Sequence, residues 1–346
     1  MEYRRLGRTG TKVSVICFGG GRIGEGVPGA GSYREAAQSL EKAHALGVNF
    51  IDTADYYGNG RSEEIIGGWM RDRRSAVVVA TKGGVIAGAR GEIGFNATPG
   101  YLKQAVHKSL ARLKTDYIDL YQLHHPDPNI PLEESIGALA GIQSEGLIRH
   151  IGVSNFTLEQ LARAMAVARI VSIQSSFNMF NREIEEGITE YCQSHDVAIL
   201  SYSPLARGLL CGGYTLETKI ANDRAHDAAF QGDLYRFNVE AVEGLKSIAA
   251  RHQMGILPLV LSWSLARPGM TSLITGVRNA GQIDEICGSD RRPLSSDIEL
   301  EIEAVLQERI GKIKRKYWYF EVAKFFLRNR PFRQRLYSAY RRFRKI

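Results

Sequence analysis

The 346-residue chain has no run of 18 apolar residues, so no membrane-spanning helix is expected. Cysteine is scarce. Cys17, Cys192, Cys211 and Cys287 stand far apart without a C-x-x-C pair, which excludes a disulfide scaffold or zinc ribbon and suits a reducing compartment. Each is expected to be a small buried hydrophobe. The first residues, Met-Glu-Tyr-Arg-Arg, lead into Gly-rich sequence and not into an apolar signal core, so the expected location is cytoplasmic. With 44% hydrophobic and 24% charged residues, global disorder is excluded. Acid is nearly missing from one segment only: residues 312–346 hold 13 Lys+Arg against Glu321 alone. That segment carries +12 of a total of +8, which leaves the remaining 311 residues at −4. The basic character belongs to the tail and says nothing about a ligand of the body.

The body alternates between β-rich and helical patterns. Strand-like runs cover residues 13–18, 48–52, 77–82, 117–124, 150–154, 171–176, 198–203 and 272–275. Helical patterns cover 33–46, 63–70, 99–113, 132–145, 158–168, 184–195, 239–251 and 280–286, and 257–266 reads as an extra helix. Thr98-Pro99 is a cap followed by proline at the first helical position, and Thr157-Leu-Glu-Gln160 is a capping box. Eight strand–helix units without an internal linker predict an α/β fold, a closed (β/α)8 TIM barrel over residues 1–310. Residues 204–238 lack a strand signal and read as a loop above the barrel. Residues 311–346 form a basic amphipathic C-terminal extension.

Functional groups of such barrels sit at the C-terminal ends of strands. Those ends carry Asp52, Lys82, His124, Ser154-Asn155, Gln174, Tyr202-Ser203 and Gly276, and Tyr57 lies five residues beyond Asp52. A free tyrosine has a pKa near 10, too high for proton transfer at neutral pH. A neighbouring ammonium favours the phenolate and lowers that value, and an aspartate keeps the ammonium charged and placed. A neutral histidine can orient a carbonyl. Asp52, Tyr57, Lys82 and His124 therefore make a general acid/base set suited to carbonyl reduction, with the hydride supplied by a nicotinamide because no side chain can donate one.

The segment Asp52-Thr-Ala-Asp-Tyr-Tyr-Gly58 with Asn-Gly-Arg-Ser-Glu63 resembles the signature of the aldo-keto reductase superfamily. Val79-Ala-Thr-Lys82, Leu120-Tyr-Gln-Leu-His124, Gly152-Val-Ser-Asn-Phe156, Tyr202-Ser-Pro-Leu-Ala-Arg-Gly208 and Gly276-Val-Arg278 with Gln282 and Glu285 follow in the matching order. The resemblance extends to about residue 290. It implies a reversible NADPH-dependent reductase of aldehydes or ketones, with Tyr57 as general acid, tuned by Lys82 and Asp52, and with His124 positioning the carbonyl. By the same resemblance Ser154, Asn155 and Gln174 hold the carboxamide, Tyr202 stacks on the nicotinamide, and Ser203, Leu205, Arg207 and Gly208 line the pyrophosphate. Gly276, Arg278, Gln282 and Glu285 form the adenosine-phosphate clamp, and an Arg278 pair with a 2′-phosphate favours NADPH over NADH. Three departures stand out: Thr275 where proline usually precedes the glycine, Ile286 where asparagine commonly follows the glutamate, and a small-residue first loop, Gly19-Gly-Gly-Arg22.

Competing motifs are weaker. Tyr56 neighbours Tyr57, but the residue directly before the glycine is the family position. His124-His-Pro-Asp127 lacks a further ligand cluster at zinc-like spacing, so no metal is expected. Gly19-x-Gly21-x-x-Gly24 mimics a dinucleotide fingerprint. Yet Gly26, Pro28, Gly29 and Gly31 forbid a helix there, and Asp52 lies 28 residues on, against about 20 in that motif.

The tail places 10 aromatics among its 13 basic residues. After Pro331, the residues Phe332, Leu336, Ala339, Tyr340 and Phe343 recur at helical spacing among arginines, as in a basic amphipathic helix. An anionic membrane surface is an expected partner of 312–346, which would place the protein peripherally at the inner membrane face. Packing on the barrel or on a second subunit is the alternative, and nucleic acid is less favoured. A second functional reading is a cofactor-sensing regulatory or binding subunit that docks a membrane or a protein through this tail.

Overall fold

The computed structural model describes residues 1–23, 33–87, 93–277 and 279–327. It divides into two compact units, Met1–Leu210 with Met254–Leu294, and Cys211–Gln253 with the chain from Ser295 onward.

In the first unit the chain opens with an antiparallel hairpin, β1 (Tyr3–Arg5) and β2 (Lys12–Ser14). The barrel strands are β3 (Ile16–Gly19), β4 (Phe50–Asp52), β5 (Val78–Gly83), β8 (Ile118–Leu123), β9 (Ile148–Ser154), β10 (Ile170–Ser176), β11 (Ala198–Tyr202) and β12 (Met270–Gly276). All eight are parallel, and the β12–β3 ladder closes the barrel. A second small hairpin, β6 (Val85–Ala87) with β7 (Ile93–Phe95), follows β5. The helices of this unit are α1 (Tyr33–Ala45), α2 (Arg61–Met70), α3 (Pro99–Leu113), α4 (Leu132–Ser144), α5 (Leu158–Val167), α6 (Ile188–His195), α8 (Ile256–Leu265) and α9 (Ala280–Cys287). The strand order and closure are those of a (β/α)8 barrel.

Local chemistry sets these boundaries. Thr98 accepts from the Tyr101 amide at the start of α3, with Pro99 as its first residue. Thr157 and Gln160 form the reciprocal capping box of α5. The strands are buried almost throughout and do not alternate cleanly between apolar core and polar solvent-facing residues. Inside the barrel, Cys17, Phe50, Ala80, Leu120, Val171, Ala198, Leu200 and Ile274 pack with Leu6 and Val13 of the first hairpin segment. That hairpin divides the expected 13–18 strand in two. Its first half pairs with β1, and only Ile16–Gly19 enters the barrel.

The second unit contains α7 (Gly232–Arg251) and α10 (Ser296–Leu327). Residues expected to form a loop up to 238 instead hold short 3-10 turns and the first turns of α7, where Tyr235, Phe237 and Asn238 are buried. Gly244 lets the Val305 methyl groups approach closely. Arg309 donates to Asn238 at 2.7 Å, and Lys312 reaches Glu240 at 2.9 Å. Burial pushes the Arg309 guanidinium down to about 10. Helix α10 runs uninterrupted through residue 311, where the extension was expected to begin. The amphipathic pattern read after Pro331 lies outside the described residues, as do Gly24, Gly26, Pro28, Gly29 and Gly31 of the first loop. Cys17 and Cys192 are buried as expected, Cys287 is half-buried, and Cys211 is exposed instead.

The contact between α2 and α3 admits no side chain at Gly67. A Cβ there would sit 2.4 Å from the Arg112 carbonyl oxygen and 2.6 Å from Leu113. Gly67→Ala is expected to cost roughly 1–3 kcal/mol by forcing the helices apart. The reading is a lower urea midpoint at unchanged slope.

Candidate active site

Three strand ends and one turn meet at the C-terminal mouth of the barrel. Asp52 ends β4, Lys82 lies near the end of β5, and His124 follows β8 directly. The turn after β4 carries Tyr57, which opens a 3-10 segment. Gly58, Asn59 and Gly60 follow with φ of 59°, 55° and 90°. Three consecutive left-handed residues, one of them not glycine, are costly in isolation, and such strain gathers at functional sites. They turn the chain sharply so that Tyr57 faces back toward the strands.

The centre of the cluster is Lys82. Its side chain is fully buried, and its Nζ donates to Asp52 Oδ2 at 2.7 Å, to the Thr53 carbonyl at 3.0 Å and to Tyr57 Oη at 3.4 Å. Burial alone pushes the ammonium down. The charge of Asp52, then Tyr57, outweighs it and holds Lys82 above the usual lysine value. Asp52 is fixed on its other oxygen. Oδ1 accepts from Gln174 Nε2 at 2.8 Å and from Gln122 Nε2 at 3.4 Å. His124 lies edge-on to Tyr57, with ring centroids 6.0 Å apart. Burial first, then the charges of Lys82 and His125, drive it well below the ordinary histidine value, so its imidazole is neutral at physiological pH. Its Nδ1 is enclosed and makes no hydrogen bond.

The four residues expected to act together are thus gathered at one place, and Tyr57, not Tyr56, is the tyrosine that reaches Lys82. Of the remaining expected contacts, the described ones lie on β9, β10, β11 and β12, in the turns after β9 and β11, and on α9. Asn155 (φ 60°) sits beside Ser154 Oγ, the His124 carbonyl and His125 Nε2 at about 3 Å each, and its Oδ1 accepts from Tyr202 Oη at 2.8 Å. Gln174, expected to hold a carboxamide, donates its amide N–H groups to Asp52 and Gln122. After β11, Ser203, Ala206, Arg207 and Gly208 all have positive φ. The turn is held by the Ser203 carbonyl, which accepts from Ala206 N and Asn178 Nδ2, and by the Leu205 carbonyl, which accepts from Gly208 N. Gly276 ends β12 at an exposed position. Gln282 and Glu285 lie on α9, whose first turn is capped by Asn279. Arg278 lies outside the described residues.

Two members of the cluster escaped the sequence reading. Gln122 stands two residues from the inward Leu120, which places it on the interior face of β8, a signal that its own residue type does not carry. The Thr53 carbonyl leaves no trace in sequence at all.

A family model described as the aldo/keto reductase family matches residues 15–307. The aldo-keto reductase YhdN of Bacillus subtilis is 35% identical over 316 residues, covering 90% of this chain and 95% of its own. The NADH-specific methylglyoxal reductase of Escherichia coli is 30% identical over 300 residues, covering 82% of this chain and 92% of its own. Among solved structures, a glycerol dehydrogenase from Gluconobacter oxydans superimposes with a TM-score of 0.82 at 28% identity, covering 89% of this chain and 96% of the other. The chain belongs to the aldo-keto reductase family. It is an NAD(P)H-dependent oxidoreductase of the kind that reduces carbonyl compounds.

The buried ion pair has a measurable consequence. Asp52→Asn leaves the Lys82 ammonium enclosed without its counter-charge. The expected loss of stability is about 3–5 kcal/mol, read as a lower denaturant midpoint.

Proposed function

We propose that the enzyme reduces an aldehyde or ketone to the alcohol, reversibly, with Tyr57 as the general acid and NADPH as the cofactor. The observation that carries this reading is the single ammonium shared by Asp52 and Tyr57. When bound, the reduced nicotinamide supplies the hydride. The protein supplies the proton and the positions. Tyr57 Oη gives its proton to the carbonyl oxygen, and the Lys82 ammonium stabilises the phenolate left behind. Asp52 keeps Lys82 charged and aimed, while Gln122 and Gln174 keep Asp52 from rotating. Neutral His124 offers a ring N–H to the carbonyl oxygen without competing as an acid. In the oxidation direction the same phenolate accepts the alcohol proton.

The rim supports an extended dinucleotide. Ser154 and Asn155 would hold the carboxamide, with the remaining carbonyl of Gln174, and Tyr202 would stack against the ring. The positive φ values at Ser203, Ala206, Arg207 and Gly208 turn the backbone into the kind of concave, amide-lined bend that suits a pyrophosphate. Gly276, Arg278, Gln282 and Glu285 would receive the adenosine phosphate, and the preference for NADPH rests on a guanidinium fork at Arg278. Titration of cofactor fluorescence checks it: Arg278→Ala should weaken NADPH binding at least tenfold and leave NADH binding within twofold.

Tyr57→Phe tests the mechanism. Turnover should fall by about a hundred- to ten-thousand-fold, while quenching of protein fluorescence by the cofactor persists. A variant that turns over at the wild-type rate removes Tyr57 from the chemistry.

The family match ends at residue 307, and the tail beyond it has its own function in this reading. Lys312 is paired with Glu240 and Glu308, and Lys316 with Asp233, so these two charges are spent on α7 and α10. Residues 317–346 still hold nine Lys+Arg and ten aromatics against Glu321. This composition suits peripheral attachment to an anionic bilayer. No helix of the described residues is long and apolar enough to cross one. The full chain should sediment with phosphatidylserine vesicles at low salt and release at high salt, and a chain ending at Lys316 should stay in the supernatant with its turnover intact.

A further inference from the structure

A second polar cluster lies directly behind the Lys82 strand. Lys82 points into the barrel, so its neighbour Gly83 faces the opposite side of the strand. A Cβ on Gly83 would sit 2.1 Å from Tyr121 Oη and 3.3 Å from Asp55 Oδ2. Only glycine leaves room for a phenol and a carboxyl group to gather there. Asp55 belongs to the turn between Asp52 and Tyr57, and its amide donates to the Lys82 carbonyl at 3.1 Å. The same residue therefore joins the turn that carries Tyr57 to the strand that carries Lys82.

The carboxyl group is poorly compensated. Asp55 Oδ1 and Tyr121 Oη are both enclosed without a hydrogen-bond partner, and the Tyr101 hydroxyl is bonded to Asp55. The nearest guanidinium, Arg112, is already committed to Glu63 at 2.6 Å, and Glu63 also accepts from Thr81 at 2.6 Å. The charged and titratable groups around Asp55 are thus Glu63, Arg112, Lys82, Tyr101 and Tyr121.

We infer that Asp55 is a positioning residue for the Tyr57 turn and a protonatable group whose negative charge opposes the loss of the Tyr57 proton. This rests on the reading of Tyr57 as the general acid. Burial, then repulsion from Glu63, pushes the Asp55 carboxyl up to about 7 against the pull of Arg112, the Tyr56 amide and Lys82. Near neutral pH the group therefore exchanges between two states. Ionised, it adds a negative charge behind Lys82 and makes a phenolate at Tyr57 costlier. Protonated, it removes that charge.

The sign of the stability effect is fixed by the same numbers. The folded carboxyl holds its proton to a higher pH than the unfolded one, whose value is about 3.9. The contribution of Asp55 to stability therefore falls as pH rises from about 4 to about 7 and levels off above, and Asp55→Asn lacks this contribution.

The test uses the full-length enzyme with NADP(H), 4-nitrobenzaldehyde and 4-nitrobenzyl alcohol. In Asp55→Asn, the alkaline rise of kcat for alcohol oxidation should move to lower pH by about half to one unit. The alkaline fall of aldehyde reduction should move the same way, with cofactor affinity unchanged. Asp55→Glu should restore the wild-type profile. The Tm of Asp55→Asn should gain on wild type between pH 5 and pH 8. If Asp55→Asn does not fold, Tyr101→Phe, which withdraws a hydrogen bond from the ionised carboxylate, should shift the rise in the same direction by a smaller amount. A folded Asp55→Asn whose kinetic limbs coincide with wild type overturns the inference. Wild-type limbs that survive in Tyr57→Phe overturn the reading of Tyr57 instead.

Discussion

One enclosed ammonium constrains the rest of the site. Lys82 is fully buried with a carboxylate 2.7 Å away, and taking both charges out of water is expensive unless every remaining hydrogen-bonding position is filled. Here they are filled from three strands and one turn. Asp52 comes from β4, Gln122 from β8, Gln174 from β10, and the Thr53 carbonyl and Tyr57 from the turn after β4. A closed parallel barrel suits this demand because it brings the ends of non-adjacent strands within hydrogen-bond distance of one point. Asp52 and Gln174 are 122 residues apart in the chain yet 2.8 Å apart in space.

The same constraint explains which parts of the structure were legible in the sequence. All eight barrel strands were visible as short runs rich in Val, Ile, Leu and aromatic residues, bounded by polar or turn residues, and the structure buries them almost throughout. The ends named the site: Asp52, Lys82 and His124 are strand-end residues by sequence and by structure. Less visible were features fixed by contacts across the fold. The break between β2 and β3 depends on pairing with β1, which no local signal announces. The early start of α7 at Gly232 depends on burial of Tyr235 and Phe237, which overrides a weak local pattern. Gln174 illustrates a subtler gap. Its place in the site was readable, but its partner was not, since Asp52 claims its amide through a contact that sequence separation hides.

The spacing Asp52-Thr-Ala-Asp-Tyr-Tyr57 serves two faces of one strand. Asp52 engages Lys82 inside the barrel, while Asp55 lies with Tyr121 against Gly83 on the outside. Between them the turn is tied to β5 by the bonds from Thr53 N to the Ala80 carbonyl and from Asp55 N to the Lys82 carbonyl. Tyr57 therefore hangs from a backbone clamped at two points, and the left-handed run from Gly58 to Gly60 takes up the remaining bend. If Tyr57 is the general acid proposed above, such a mount serves it, because the reach of a hydrogen bond is shorter than the swing of a free tyrosine.

Electrostatics follows from the same geometry. A positive charge inside the barrel lowers the cost of a phenolate and, together with burial, prevents His124 from charging. A carboxyl group behind the strand works in the opposite sense. The proton inventory of the site is then set by one fixed cation held by Asp52 and one anion that comes and goes near neutral pH. Because the two charges flank a single strand, neither can be changed without altering the balance felt by the Tyr57 hydroxyl beside Lys82 in the proposed mechanism. In the proposed mechanism, an acid that serves both reduction and oxidation is better placed at such a balance than beside a cation alone, since a phenolate stabilised without limit would never take a proton back.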